Sequence, residues 1–260
     1  MRNRLTTYIN ARVTRCWKVK TIRNSAKAPI ASITFDDFPK SAWSTGGRIL
    51  AEAGVRGTYF VSGTYCGKEI NGLRYYDVDD LIAIHHGGHE IGCHTFDHAW
   101  ISQLSAADIK ETLARNREFV SRHFGDIVMT SFAFPYGDTS IRTKRIVSKQ
   151  FASCRGIWPD VNRRSIDLGE LSAVQLVPHI LARRPVHDLI ESAVASNGWL
   201  VFFTHDISSS PSPWGCTPQL LEQVIGKLLD AKNRELTQGV YYAQLTVDGE
   251  RYTLKMIARK

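Results

Sequence analysis

The 260 residues are 43% hydrophobic and 22% charged. That is enough apolar material for one sizeable core, yet no stretch approaches the roughly 18–20 apolar residues that cross a bilayer. Eight of the 33 Lys and Arg fall in residues 1–28, where there is no acid, leaving 25 basic against 25 acidic residues elsewhere. A neutral body excludes a whole-surface nucleic-acid binder and leaves the basic start two readings, a solvated edge or a contact with an anionic membrane face or acidic glycan.

In chain order, residues 1–28 read as a basic extension. Residues 13–22 fit either an extended strand paired with a terminal hairpin or an amphipathic helix through Leu5, Ile9, Val13 and Cys16. From Pro29 onward, short apolar runs alternate with segments of helical period, the pattern of a βα-repeating protein. The runs cover residues 31–35, 58–61, 89–93, 131–134, 174–178 and 200–204, with weaker candidates at 151–157 and 240–242. Six clear runs and two weaker ones approach the number that closes a βα barrel, which predicts an α/β fold over residues 29–243. Ser105 is the expected N-cap of a helix carrying Ile109, Leu113, Asn116, Phe119 and Val120. Thr217-Pro218 opens another helix, because Pro is tolerated in a first turn that has no intrahelical use for its N–H. Residues 208–215 read as a Ser/Pro loop, and residues 244–260 as a β-hairpin turning at Asp248-Gly249.

Five scattered cysteines, Cys16, Cys66, Cys93, Cys154 and Cys216, include no Cys-x-x-Cys pair. They predict reduced thiols in a cytoplasmic protein rather than a disulfide frame or a thiolate zinc site, and the lack of an apolar leader stretch favours the same location.

Four polar clusters follow directly on strand candidates, where a βα barrel carries its catalytic rim. They are residues 34–37, 94–98, 134–137 and 203–206. Adjacent carboxylates at Asp36 and Asp37 resist burial unless a cation or proton compensates, and their plain alternative is a turn or N-cap role. His94 and His98 have the i, i+4 spacing that places two imidazoles on one side of a helical turn. One carboxylate with two imidazoles makes a three-ligand set that leaves open positions on Zn²⁺ or another first-row divalent ion, and frees the second carboxylate to act as a base.

Together, Thr-Phe-Asp-Asp (34–37), Gly-His-Glu-Ile-Gly-Cys-His-Thr-Phe-Asp-His (88–98), Phe-Pro-Tyr-Gly (134–137) and the late strand ending in His205 resemble the ordered motifs of NodB-type polysaccharide deacetylases, carbohydrate esterase family 4. The resemblance spans roughly residues 30–242. It implies a distorted (β/α) barrel of the NodB-homology type and metal-dependent removal of acetyl groups from amino sugars or, in some members, from O-acetyl glycans. It further implies Asp37, His94 and His98 as ligands of a divalent metal, zinc first and Co, Ni or Mn as alternatives, with Asp36 as base and His205 as acid. The backbone N–H of Tyr136 is implied as oxyanion donor, and an acetylated carbohydrate is the implied partner.

Two departures stand out. The family's arginine two residues before the Pro of the third motif is Ala133 here, and no Asp-containing fourth motif is visible near residues 154–158. Arg155 is expected to supply the missing guanidinium to Asp36, with Arg163 and Arg164 as second choices that otherwise read as exposed loop charges. His89 is expected to be a buried structural histidine and His85-His86 a polar helix end, while Asp97 orients the turn between the histidines or tunes one of them. Trp43, Trp100, Trp158 and Trp214 are candidates for sugar stacking or core packing. Two other functions compete: a catalytically silent carbohydrate-binding barrel, favoured by Ala133, and cyclic-amide hydrolysis, disfavoured by the retained ligand types.

Overall fold

The computed structural model describes residues 14–125, 127–235, 241–247 and 250–256. The strands in chain order are β1 (Thr21–Arg23), β2 (Ile30–Phe35), β3 (Thr58–Val61), β4 (Glu69–Ile70), β5 (Leu73–Arg74), β6 (Glu90–Cys93) and β7 (Ser131–Ala133). They continue with β8 (Ser153–Arg155), β9 (Ser165–Asp167), β10 (Val174–Gln175), β11 (Trp199–Thr204), β12 (Tyr241–Val247) and β13 (Glu250–Met256). Seven form one parallel sheet in the order β10-β11-β2-β3-β6-β7-β8, each built on one of the expected apolar runs. Parallel strands need crossovers that cover the sheet. Helices Val78–His86, Ala106–Phe124, Ile141–Val147 and Val186–Ser196 lie in those connections, and Pro218–Glu235 follows the last strand of the sheet.

Residues 168–175 close the gap between the sheet's two ends. The Leu171 N–H donates to Cys154 O at 2.7 Å and the Gly156 N–H to Leu171 O at 2.9 Å; β10 then pairs with β11. One passage thus touches both edges, and the curled sheet becomes a distorted barrel. Its core is large and aromatic, with Phe35, Tyr59, Phe132 and Phe202 fully buried and the Phe35 and Tyr59 rings stacked at 4.8 Å.

Local signals act as their chemistry requires. Ser105 accepts from the Asp108 N–H while Asp108 accepts from the Ser105 N–H, a reciprocal cap on helix Ala106–Phe124. Thr217 Oγ1 accepts the Leu220 N–H at 3.2 Å at the start of helix Pro218–Glu235. β4 and β5 form a small hairpin about Asn71-Gly72, both at positive φ (52° and 76°). The hydrophobic pattern does not predict it, because each arm is only two residues long.

The chain termini differ from expectation. Residues 14–16 are helical, and β1 pairs antiparallel with β9 of the barrel instead of with the terminal hairpin. Buried cation contacts decide this: Lys20 Nζ donates to Phe151 O at 2.9 Å, and Lys144 Nζ donates to Thr14 O at 2.8 Å and Trp17 O at 3.0 Å. Basic residues of the extension also bond the barrel at its surface, Arg15 to Asp160 at 2.8 Å and Lys18 to Ser165 O at 2.6 Å. Of the weak barrel candidate at 240–242, Tyr241 and Tyr242 instead begin β12, which pairs with β13 from Tyr241↔Met256 to Val247↔Glu250. That register leaves two residues for the turn; Asp248 and Gly249 themselves lie outside the described residues, as does the proposed helix before residue 14. Among the described residues, no helix is long and apolar enough to cross a membrane.

Candidate active site

All four expected clusters reach the same end of the barrel, since parallel strands deliver their C-termini to one rim. The backbone there is unusual. Of the eight non-glycine residues with positive φ among those described, five surround the mouth: Asp37, Phe38, Thr95, His98 and Tyr136. Such conformations persist only where neighbouring structure holds them, and they concentrate at functional sites.

After β2, two successive left-handed residues make a sharp bend. Phe38 is fully buried and stacked on Tyr76 at 4.7 Å, which anchors it. The bend sends the adjacent carboxylates into different surroundings. Asp36, 4% exposed, accepts both of its side-chain bonds from Nη2 of Arg155, itself 2% exposed. Asp37 instead faces imidazoles: its Oδ1 is 3.0 Å from His98 Nε2 and 3.4 Å from His94 Nε2, and its Oδ2 is 3.8 Å from His205 Nε2. Burial alone would raise the Asp37 pKa, but the imidazoles, His98 foremost, outweigh it and hold the carboxyl below the usual range.

Residues 94–98 converge without forming the helical turn that their spacing suggests. Positive φ at Thr95 and His98 folds them as a loop, in which the Ala99 N–H donates to Thr95 Oγ1 at 3.1 Å. Asp97, exposed between the two histidines, accepts from Thr112 Oγ1 at 3.1 Å and from Arg115 at 2.9 Å, tying the loop to helix Ala106–Phe124. It braces the turn and makes no bond to either imidazole.

The donor set suits a divalent ion. Ligand atoms of Asp37, His94 and His98 lie within 4.8 Å of one another, and a tetrahedral zinc site with bonds of ~2.1 Å has ligand-to-ligand edges of ~3.4 Å. His94 Nδ1 lies 2.8 Å from Ala133 O. A carbonyl only accepts, so Nδ1 carries the hydrogen and the Nε2 lone pair faces Asp37. Burial, the largest cause, pushes the His94 pKa down to about 4, keeping that lone pair free at neutral pH. Asp37 Oδ1 is buried without a hydrogen bond, an acceptor that a cation would satisfy.

Arg155 sits directly across the β7–β8 pairing from Ala133, so a side chain from either position enters the same space. Its guanidinium lies between the rings of Phe60 (5.2 Å) and Phe203 (4.6 Å), and Nη1 donates to Gly156 O at 2.9 Å. The second choices are elsewhere: Arg163 bonds Ser192 and Asp160, while the Arg164 carbonyl accepts from the Asn24 N–H. His205 is held through Nδ1, 3.2 Å from Trp214 O. No side-chain pattern announces a backbone partner of that kind.

The tryptophans divide. Trp43 packs edge-on to Tyr59 and to His89, at the strand end opposite the rim, and belongs to the core. Trp158 is covered by Arg15, 4.5 Å above its ring. Trp100 and Trp214 are exposed at the mouth. Trp100 stacks on Tyr136 at 4.0 Å and 5°, and Tyr136 in turn meets His98 edge-on at 4.4 Å.

Residues 23–151 match the model of a family described as polysaccharide deacetylase. A chitin deacetylase of Pestalotiopsis sp. is 30% identical over 110 residues, 42% of this chain and 35% of that protein, so the match spans about a third of the relative's length. Among solved structures, a T48 deacetylase with substrate is 23% identical, with TM-score 0.54 over 81% of this chain and 88% of that one. A family 4 acetyl xylan esterase from Clostridium thermocellum in complex with a cobalt ion is 21% identical, with TM-score 0.55 over 79% and 85%. IcaB from Ammonifex degensii is 25% identical, with TM-score 0.52 over 57% and 68%.

Proposed function

We propose, on the premise that this chain belongs to the polysaccharide deacetylase family through residues 23–151, that its mouth removes acetyl groups from an N-acetylated amino sugar with the aid of a divalent metal ion. The observation that carries this reading is the separation of two neighbouring carboxylates, one on a buried guanidinium and one among three imidazoles. Metal ligation alone does not require Asp36, so a silent binding barrel leaves that buried ion pair without a purpose.

Asp37, His94 and His98 would hold the ion. When bound, it would supply a Lewis acid that polarises the acetyl carbonyl and lowers the pKa of a water; zinc fits the mixed nitrogen and oxygen donors, with cobalt, nickel or manganese as alternatives. Asp36 takes a proton from the attacking water, and Arg155 holds that carboxylate in place beforehand. The Tyr136 N–H, presented by a left-handed residue (φ 58°), donates to the acetyl carbonyl oxygen as it takes up negative charge. His205 gives a proton to the departing sugar nitrogen, which otherwise leaves poorly.

Sugar rings would be held by the apolar rim. Among the described residues, Trp100, Tyr136, Ile157 and Trp214 are four of the six exposed large hydrophobics, and they follow β6, β7, β8 and β11 respectively. Four such side chains around one opening suit the apolar faces of pyranose rings.

Acetate release from chitooligosaccharides, measured together with metal content, tests the reading. Asp36→Asn is expected to keep its metal and lose activity by about 10²-fold or more, while His94→Ala and His98→Ala lose metal and activity together. Full activity in Asp36→Asn, or after chelation, overturns it.

A further inference from the structure

Residues 206–216 are rich in Ser and Pro and form no regular element apart from one isolated bridge, Ile207↔Cys216. Yet the Trp214 carbonyl in this loop is the group His205 leans on, at 3.2 Å from Nδ1. A carbonyl can only accept, so Nδ1 carries a hydrogen toward it and Nε2 is the nitrogen turned to Asp37 and the mouth. We propose that this loop is the device that orients His205, with Asp206 and Gly215 as positioning residues acting through the Trp214 carbonyl. The proposal rests on the reading of His205 as proton donor.

Three observations carry it. Asp206 is 1% exposed and gathers the loop onto itself: one carboxylate oxygen accepts the Ser212 N–H at 2.8 Å, the other accepts the Ser212 hydroxyl, and its carbonyl accepts the Cys216 N–H at 3.0 Å. Gly215 lies so close that a Cβ there would meet Asp206 Oδ1 at 2.3 Å and Asp206 O at 2.4 Å. Only glycine lets the chain pass at that distance and bring residue 214 back over the histidine. Finally, Gln175 Nε2 on β10 donates to the same Trp214 oxygen at 3.2 Å, fixing the carbonyl from the barrel side. The buried side chain of Asp206 thus holds the loop, and the loop presents one acceptor to His205.

Substrates with different leaving groups separate positioning from mere folding. An N-acetylated chitooligosaccharide needs a proton on its departing nitrogen; an aryl acetate releases a stable phenolate and needs none. His205→Ala, Asp206→Ala, Gly215→Ala and the double variant Asp206→Ala with His205→Ala are assayed on both, with metal content and melting temperature measured alongside. Asp206→Ala and Gly215→Ala are expected to lower kcat on the oligosaccharide by about tenfold or more, with metal content kept and aryl acetate hydrolysis within about threefold of the parent. In the His205→Ala background, Asp206→Ala should add nothing. Asp206→Asn, whose side-chain oxygen still accepts the Ser212 N–H, should recover most of the loss. Should Asp206→Ala fail to fold, Ser212→Ala opens the clamp from its other end and is read the same way. Equal losses on both substrates, or effects that add to those of His205→Ala, overturn the proposal while leaving His205 as acid. An unchanged substrate ratio in His205→Ala overturns both.

Discussion

His89 precedes β6 with its ring against Trp43 and Tyr59, and its Nδ1 accepts the Gly57 N–H at 3.0 Å. Burial first, and the nearby Arg56 charge second, push its pKa down to about 4, against roughly 6.5 in an unfolded chain. A depressed histidine favours the neutral form, so its contribution to stability is complete above about pH 6.5 and is lost as pH falls toward 4. The loss should amount to about 2–3 kcal/mol. His89→Asn keeps an acceptor for the Gly57 N–H and removes the titration. Denaturant unfolding between pH 7 and pH 4 should therefore show a shallower fall for the variant than for the parent, even though the smaller side chain lowers its stability at pH 7. Parallel curves would show that His89 does not titrate in this window. At this scale the sequence served well: a histidine amid apolar strand residues was expected to be structural, and the carboxylate pair was expected to need compensation.

Strand pairing explains how the barrel manages without an arginine on β7. Ala133 and Arg155 are partners across β7–β8, and paired positions on parallel strands project to the same face at a spacing of ~4.8 Å. The charge can therefore arise from either strand and still meet Asp36. Arg155→Ala strands a buried carboxylate, and is expected to cost about 3–5 kcal/mol of stability and about 10²-fold in activity on the oligosaccharide. Adding Ala133→Arg to that variant should recover part of both, read by unfolding midpoint and by acetate release. A double variant no better than Arg155→Ala would show that the two positions do not share that space. Helices were legible at their ends, where Ser105 and Thr217 cap by local rules. The loop at 94–98 was not, because an i, i+4 spacing is also met by a loop with two left-handed residues.

For the molecule as a whole, the N-terminal extension is fastened by a cation that sequence analysis passes over. Lys144 is fully buried on helix Ile141–Val147, with Nζ 2.8 Å from Asp167 Oδ2 and 3.0 Å from Glu170 Oε2, and it also donates to the carbonyls of Thr14 and Trp17. It joins the extension, the crossover into the barrel and the passage that closes it. Lys144→Met leaves two acids buried without their cation, and is expected to lower unfolding free energy by about 3–5 kcal/mol and to expose the bond after Lys20 to brief trypsin digestion. A variant as stable and as resistant as the parent would rule out this fastening. Nothing in the spacing around Lys144 marks it, since its partners lie more than twenty residues away on either side.

By itself the sequence determined the βα alternation, the strands that make the sheet, the helix caps and the four rim clusters. Each depends on periodicity or on neighbours a few residues apart, and those interactions are written locally. Tertiary structure alone decided that Lys144 fastens the extension, that a backbone carbonyl holds His205, and that β1 joins β9 instead of the terminal hairpin. Those outcomes depend on distances between groups over a hundred residues apart, or on main-chain atoms common to every residue, and neither leaves a mark in the order of side chains.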